Sequence, residues 1–308
     1  LAYRLKRSDK SIEKTLHRIV SEQIEAAIVE LVSPRTDRVE MVHSARKHCK
    51  QLRALIRLIR PGFADFDEAD DRLRALAAPL ALTRDADVMI ETCDTILREW
   101  PETDRSSAAA VRRRLLHNRK MLGAIVDLDE RLATFVRDIA VLREDAAHWR
   151  IDGDGFDMIA QGAARNYRKA RKAMKRAATS GDAEDFHDWR KSVKYHWYHT
   201  RLLAPIWPTE MAVHVDAAHD LGEVLGHHHD LAVLDHAIAA HPEDFGGITV
   251  VAPFRAALAQ RSGSTADRAL NEGGLLLSES PSALVKRWRG YWEVWRAEGD
   301  AADQARAA

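Results

Sequence analysis

The chain has 308 residues, of which 46% are hydrophobic and 31% charged, and its formal net charge is zero with histidine neutral. That is enough apolar material for one large domain or two of ordinary size, while the charge balance speaks against a general nucleic-acid binder. No apolar run approaches the ~20 residues that a bilayer-spanning helix needs. Cys49 and Cys93 form no C-x-x-C pair and read as reduced, buried thiols. The basic N-terminal stretch leads into an amphipathic pattern and not into an apolar leader. These features together predict a cytoplasmic protein.

Gly and Pro are scarce inside the long segments, and alternating strand patterns are lacking. The chain therefore reads as all-α. Residues 11–32 predict a first helix capped by Ser11, with Leu16, Ile19, Val20, Ile24, Ala27, Ile28 and Leu31 on its apolar side. Residues 38–59 predict a second, stopped by Pro61-Gly62. One or two helices follow over 66–99, interrupted near Pro79, and two more over 104–149. Ile151-Asp152-Gly153-Asp154-Gly155-Phe156 is the clearest break. Helices are then expected at 156–178, 183–203, 210–240, 253–272 and 281–298, with a loop from His241 to Pro253 and no strand required in the Gly246–Val251 run. The small, polar tail over 299–308 reads as flexible.

The second helix carries a pattern that recurs. Val42-His43-Ser44-Ala45-Arg46-Lys47, with Lys50, Arg57 and Pro61, is matched by Phe186-His187-Asp188-Trp189-Arg190-Lys191, with Lys194, Arg201 and Pro205. Each matched pair is 144 positions apart, as His43 is from His187. At about 100° per residue, His43, Arg46, Lys47, Lys50, Arg53 and Arg57 fall within roughly 120° of arc. The opposite arc holds Ala45, Cys49, Leu52, Leu55, Ile56 and Ile59. Residues 41–60 contain six Arg/Lys and no acid, whereas residues 61–104 contain twelve acids and four bases.

A solvated helix face ordinarily mixes charges, because like charges at i,i+4 repel. Two such helices point to a polyanion that relieves the repulsion, with Arg supplying forked donors and Lys a mobile charge. The competing reading is that the stripe pairs with the acidic 61–104 segment inside the fold.

At these residues the chain resembles the CHAD domain, the conserved histidine α-helical domain. The His-x-x-Arg-Lys-x-x-Lys pattern of both copies carries the resemblance. So do Ala81-Leu82-Thr83-Arg84-Asp85-Ala86-Asp87-Val88 and its counterpart Leu225-Gly226-His227-His228-His229-Asp230. Tyr167-Arg168-Lys169-Ala170-Arg171, and Ser280–Leu284 with Arg287 and Trp292, agree with it as well. The resemblance implies one domain over 5–298, made of two pseudo-symmetric helical-bundle repeats (5–150 and 156–298). It also implies a basic surface that binds inorganic polyphosphate, with association to polyphosphate granules. Some family members are fused to a triphosphate tunnel (CYTH) domain. No Glu-x-Glu-x-Lys strand of that partner is found here, so the chain looks stand-alone.

Carried over by position, the polyphosphate contacts are His43, Arg46, Lys47, Lys50, Arg53, Arg57, His187, Arg190, Lys191, Lys194 and Arg201, with Arg84, Tyr167 and Arg171 as additional candidates. The sequence departs from the family at Tyr195 and Trp197, where cations are usual, and at His229, where Arg84 predicts an arginine. These departures suggest a second copy that binds more weakly or relies more on histidine charge.

Other constellations are thinner. His227-His228-His229-Asp230 invites a metal-assisted phosphohydrolase, but adjacent helical histidines point about 100° apart. Asp85 and Asp230 read instead as acids that orient neighbouring cations, and His196 as a satisfied core histidine. Arg112-Arg113-Arg114 fans around its helix and forms no stripe. No nucleophile elbow, P-loop or dinucleotide fingerprint is present. The expectation is a binding protein that is not an enzyme, with no metal or cofactor and no membrane insertion. RNA or DNA binding is the third reading, disfavoured by the lack of aromatics in the first stripe.

Overall fold

The computed structural model describes the backbone of residues 3–33, 37–99 and 105–307, and of these all side chains but those at 82, 83, 105–107 and 300–307. Among the described residues there are eleven α-helices and no strand: α1 (Ile12–Val32), α2 (Arg38–Leu58), α3 (Phe66–Ala77), α4 (Ala81–Arg98), α5 (Arg105–Ile125), α6 (Leu128–Ala146), α7 (Gly155–Ser180), α8 (Ala183–Leu203), α9 (Pro208–Ala240), α10 (Ile248–Leu276) and α11 (Pro281–Ala307).

The local signals explain the ends. Ser11 accepts a hydrogen bond from the Lys14 amide and caps α1, and Asp37 accepts from Val39 and Glu40 and caps α2. α2 and α8 each give way to a 3-10 turn with a proline near its start, Arg60–Gly62 and Ala204–Ile206. Proline has no N–H to continue the helical ladder. Gly62 is required for packing: a Cβ there would lie 2.1 Å from the Asp152 carbonyl oxygen. α7 ends on Gly181 at φ 69°, the left-handed conformation that glycine adopts without a Cβ clash.

Two expectations change. The run after Gly247 is helical from Ile248, so Pro253 lies inside α10 and the loop is shorter than predicted. Its spacing shows why: Val251, Phe254 and Leu258 share one face and are buried. α11 also continues to Ala307, through the segment read as a flexible tail.

The apolar arc of α2 is core as predicted, with Ala45, Cys49, Leu52, Leu55, Ile56 and Ile59 all nearly inaccessible. They join a core that includes residues from Tyr3 to Trp295. α2 crosses α7 and α8 closely. A Cβ on Gly162 of α7 would lie 1.7 Å from the Leu58 carbonyl oxygen, and His199 of α8 hydrogen-bonds through Nε2 to the Ala54 carbonyl at 2.9 Å.

The packing does not follow the two sequence halves. α4 and α5 bury Cys93, Ile96, Ala108, Val111 and Leu115 in a second core with Leu231, Leu234, Ile238, Phe254 and Leu258 from α9 and α10. This places the Arg84 end of α4 within electrostatic reach of His43 and Lys50 on α2 and Asp230 on α9.

Candidate functional site

Amphipathicity turns α2 so that His43, Arg46, Lys47, Lys50, Arg53 and Arg57 lie outside the core. The tertiary structure then divides them. Asp70 of α3 is 4% exposed. It accepts from Arg53 Nε at 2.8 Å, Arg57 Nη2 at 2.6 Å and Arg74 Nη2 at 3.1 Å. Burial raises the Asp70 carboxyl, but the Arg53 hydrogen bond and the Arg57 charge outweigh it and hold the pKa below the ordinary carboxylate range. Arg53 and Arg57 are therefore ion-paired within the fold, a correction to their place in the free stripe. The sequence did carry a signal: Asp70 shares the apolar face of α3 with Phe66, Ala69 and Leu73. Lys47 is partly balanced by Glu30 of α1, at 3.6 Å.

His43, Arg46 and Lys50 remain. Among the described residues Arg46 hydrogen-bonds only to the Ala77 carbonyl, at 3.3 Å. Lys50 has no ion pair or hydrogen bond among the described residues, although solvent reaches it. Crowding by protein, then the charges of Arg46, Arg190, Lys194 and Arg84, push its pKa down to about 8. Cations from α2, α4 and α8 thus converge on one point. Arg84, an outlying candidate from the sequence, belongs to this centre.

On α8, Arg190 keeps its Nε shut from solvent with no hydrogen-bond partner among the described residues. Lys194 pairs with Glu223 of α9 and stands 5.1 Å from the Trp197 ring centre. Lys191 pairs with Asp188 at 2.6 Å. Arg201 packs on the other cation-supporting contact of Trp197, at 4.9 Å. Tyr195 lies 4.7 Å from the Arg57 guanidinium. The two aromatic departures therefore support neighbouring cations and do not add charge of their own.

Asp230 of α9 lies within electrostatic reach of Arg190 and Arg84 but makes no hydrogen bond or ion pair among the described residues. Burial raises its pKa to about 6 against the pull of Arg190 and Arg84. Asp85 makes no such bond among the described residues; Asp87 takes that role, accepting from Arg119 Nε at 2.6 Å.

The histidines flank the cations. His187 and His229 share a hydrogen bond, Nδ1 to Nδ1 at 3.0 Å. His43 is held below the usual histidine range by burial and then by Arg84, Lys50, Lys47 and Arg46. Burial, then Lys191 and Arg190, lower His187. Burial, then His187 and Arg190, bring His229 to about 4.

Two carried-over residues fall elsewhere. Tyr167 is fully buried and donates its hydroxyl hydrogen to the Leu276 carbonyl at 2.9 Å, so it is a core residue and cannot touch a ligand. Arg171 acts on Tyr167 beside Glu279 and Arg287, away from the cation centre.

The consecutive histidines diverge as helix geometry requires. His227 faces Arg261 and Glu99, His228 stacks on Phe186 at 4.3 Å, and His229 meets His187. No group of three side chains able to hold a metal is found among the described residues. His196 is a core residue, stacked 5.9 Å from Trp288 and 2.9 Å from His214 Nε2. Both cysteines are buried and free, and burial raises each thiol to about 12. Arg112, Arg114 and Arg119 each pair with an acid on another element, Asp94, Asp244 and Asp87. They brace α5 and do not extend the basic surface.

The arrangement can hold phosphate oxygens at several points. It presents forked and point-charge donors and a set of neutral imidazoles that can gain protons. No curated protein matches the chain significantly. The family model described as CHAD domain matches residues 18–239, which takes in both basic helices, α4 and nearly all of α9.

Proposed function

The chain belongs to the CHAD domain family, and on that premise we propose that it binds inorganic polyphosphate, without catalysis, where α2, α4 and α8 meet. The observation that carries this reading is the convergence of Arg46, Arg84, Arg190 and Lys194 around Lys50, which has no acidic partner among the described residues. Folding such a cluster costs electrostatic free energy, and a multivalent anion recovers it on binding. A linear polyphosphate supplies closely spaced charges and no bases, which suits a centre where Trp197 is already packed against Lys194 and Arg201. The contact set we assign is His43, Arg46, Lys50, Arg84, Arg190 and Lys194, with the His187–His229 pair at its edge. Granule association within the cytoplasm is the cellular use that fits this chemistry. No helix among the described residues is long and apolar enough to cross a membrane.

Titration with long-chain polyphosphate at about physiological salt, against RNA at equal phosphate concentration, tests the proposal. Tight binding to polyphosphate with little to RNA is the expected result. Equal binding to both, falling steeply with salt, would mean a generic cationic surface. Absence of binding would return the cluster to a structural role.

The histidines add a pH dependence. In the free protein His43, His187 and His229 are held low by burial and neighbouring cations. A bound polyanion offsets those cations, raises the pKa values and draws protons in. The complex then holds more protons than the free protein, so affinity rises as pH falls from about 8 toward 6. Dissociation constants measured across that range at fixed salt will show it; a flat profile would exclude the histidines from the contact set.

A further inference from the structure

The interface between α8 and α9 contains two buried glycines one turn apart, Gly222 and Gly226. Interior helical glycine is unfavourable by roughly 1 kcal/mol relative to alanine, so each position invites a reason. For other buried glycines the reason is close approach of core atoms. A Cβ on Gly162 would meet the Leu58 backbone at 1.7 Å, and one on Gly273 would meet the Trp189 ring at 2.4 Å. Gly222 and Gly226 differ in what they face. A Cβ on Gly222 would lie 3.2 Å from Lys194 Cδ and Cε and 3.4 Å from its Nζ. A Cβ on Gly226 would lie 3.5 Å from Arg190 Nε and 3.8 Å from its Nη2.

We infer that Gly222 and Gly226 are positioning residues: the missing side chains on α9 form seats in which the Lys194 stem and the Arg190 guanidinium lie, aiming both cations at the centre shared with Lys50. As a contribution to ligand affinity, the inference rests on the polyphosphate reading above. As a statement about where two cations lie, it stands on the distances alone.

The contacts around each seat agree. Lys194 is fixed from one side by Glu223 and from another by Trp197, and the glycine closes the third side without a competing group. Arg190 Nε, buried and unpartnered, lies against the Gly226 seat. Both cations act on the Lys50 ammonium, so a shift in either changes the field at the centre. A bulkier residue at 222 would force the flexible lysine stem to move, because the lysine has rotamers available and the helix backbone does not.

Gly222→Leu and the milder Gly222→Ala test this, the second because alanine favours the helix and keeps the protein folded. Two readouts are taken. The rate of amine acylation at Lys194, mapped by mass spectrometry, needs no ligand and should rise severalfold once the lysine leaves its seat. Polyphosphate affinity should fall roughly fivefold for the leucine variant, the weight of about one partly exposed ionic contact. Its salt dependence should become shallower by roughly one ion. In a Lys194→Ala background the same glycine changes should have no further effect on affinity.

A structural role alone would lower the melting temperature and leave the salt slope and the acylation rate unchanged. Wild-type acylation rates in both glycine variants would overturn the inference. So would an equal loss of affinity with and without Lys194. If the wild type binds no polyphosphate but the variants expose Lys194, the functional reading fails and the seat stands.

Discussion

Lys50→Glu is expected to weaken polyphosphate binding by roughly 30-fold at ~0.15 M salt, and adding Lys194→Glu should bring the loss to roughly 100-fold or more. The first change removes the central contact and places a repelling carboxylate there. The second repeats this on α8. The same Lys50→Glu change should raise thermal stability. Lys50 is surrounded by Arg46, Arg84, Arg190 and Lys194 with no acidic partner among the described residues, and its pKa falls to about 8 from an ordinary 10.5. A lysine whose folded pKa is depressed opposes folding when protonated. Stability is therefore lowest below about pH 8 and increases as pH rises toward 10.5. Because solvent reaches the ammonium, the gain on reversing its charge is put at about 1 kcal/mol, well under the full linkage value. The double variant gives part of that back, since its second carboxylate lies beside Glu223. Thermal melts and polyphosphate titration of the same samples read both effects. A variant that loses stability along with binding would mean that Lys50 holds the fold together, contrary to the site described.

Asp70→Ala should do the opposite. It removes a carboxylate that is 4% exposed and serves Arg53, Arg57 and Arg74. Breaking a buried pair from one side typically costs 3–5 kcal/mol. Arg53 and Arg57 reach solvent in part, so the lower end, about 3 kcal/mol, is expected in urea unfolding at neutral pH. Polyphosphate affinity should hold or increase, because two arginines on the α2 face are released. The acid limb of the stability profile should also change. The folded pKa of Asp70 lies below its unfolded value, so its contribution is present above the unfolded pKa, ~3.9. It is lost as pH falls through the folded value. The variant should therefore unfold less steeply in acid. Lost binding with unchanged stability would show that Arg53 and Arg57 are ligand contacts after all.

These two variants separate functions that the α2 stripe presents together. On a helical wheel, Lys50 and Arg53 look alike: both are basic, both lie off the core face, and both repeat a family position. They differ in what lies across from them. Arg53 meets an acid on the next helix, and Lys50 meets more cations from α4 and α8. No periodicity in α2 distinguishes these neighbours.

The amino-acid sequence by itself determined the all-helical class, the outward face of α2, the core role of His196 and the divergence of His227, His228 and His229. All of these follow from a period of 3.6 residues, which is local and needs no knowledge of other helices. The carry-over from the family named Lys50, Arg190 and Lys194, which the fold brings within electrostatic reach of one another. It failed for Tyr167, where a basic-looking helix segment turns its tyrosine into the core. Only the tertiary structure decided that Lys50 has no acid paired with it among the described residues, that Arg84, itself paired with Glu91, reaches it, and that glycines on α9 lie against Lys194 and Arg190. Those outcomes depend on α3 carrying Asp70 to α2 and on α4 leaving the first half to pack against α9. Charge compensation acts over a few ångströms in space between residues far apart in the chain.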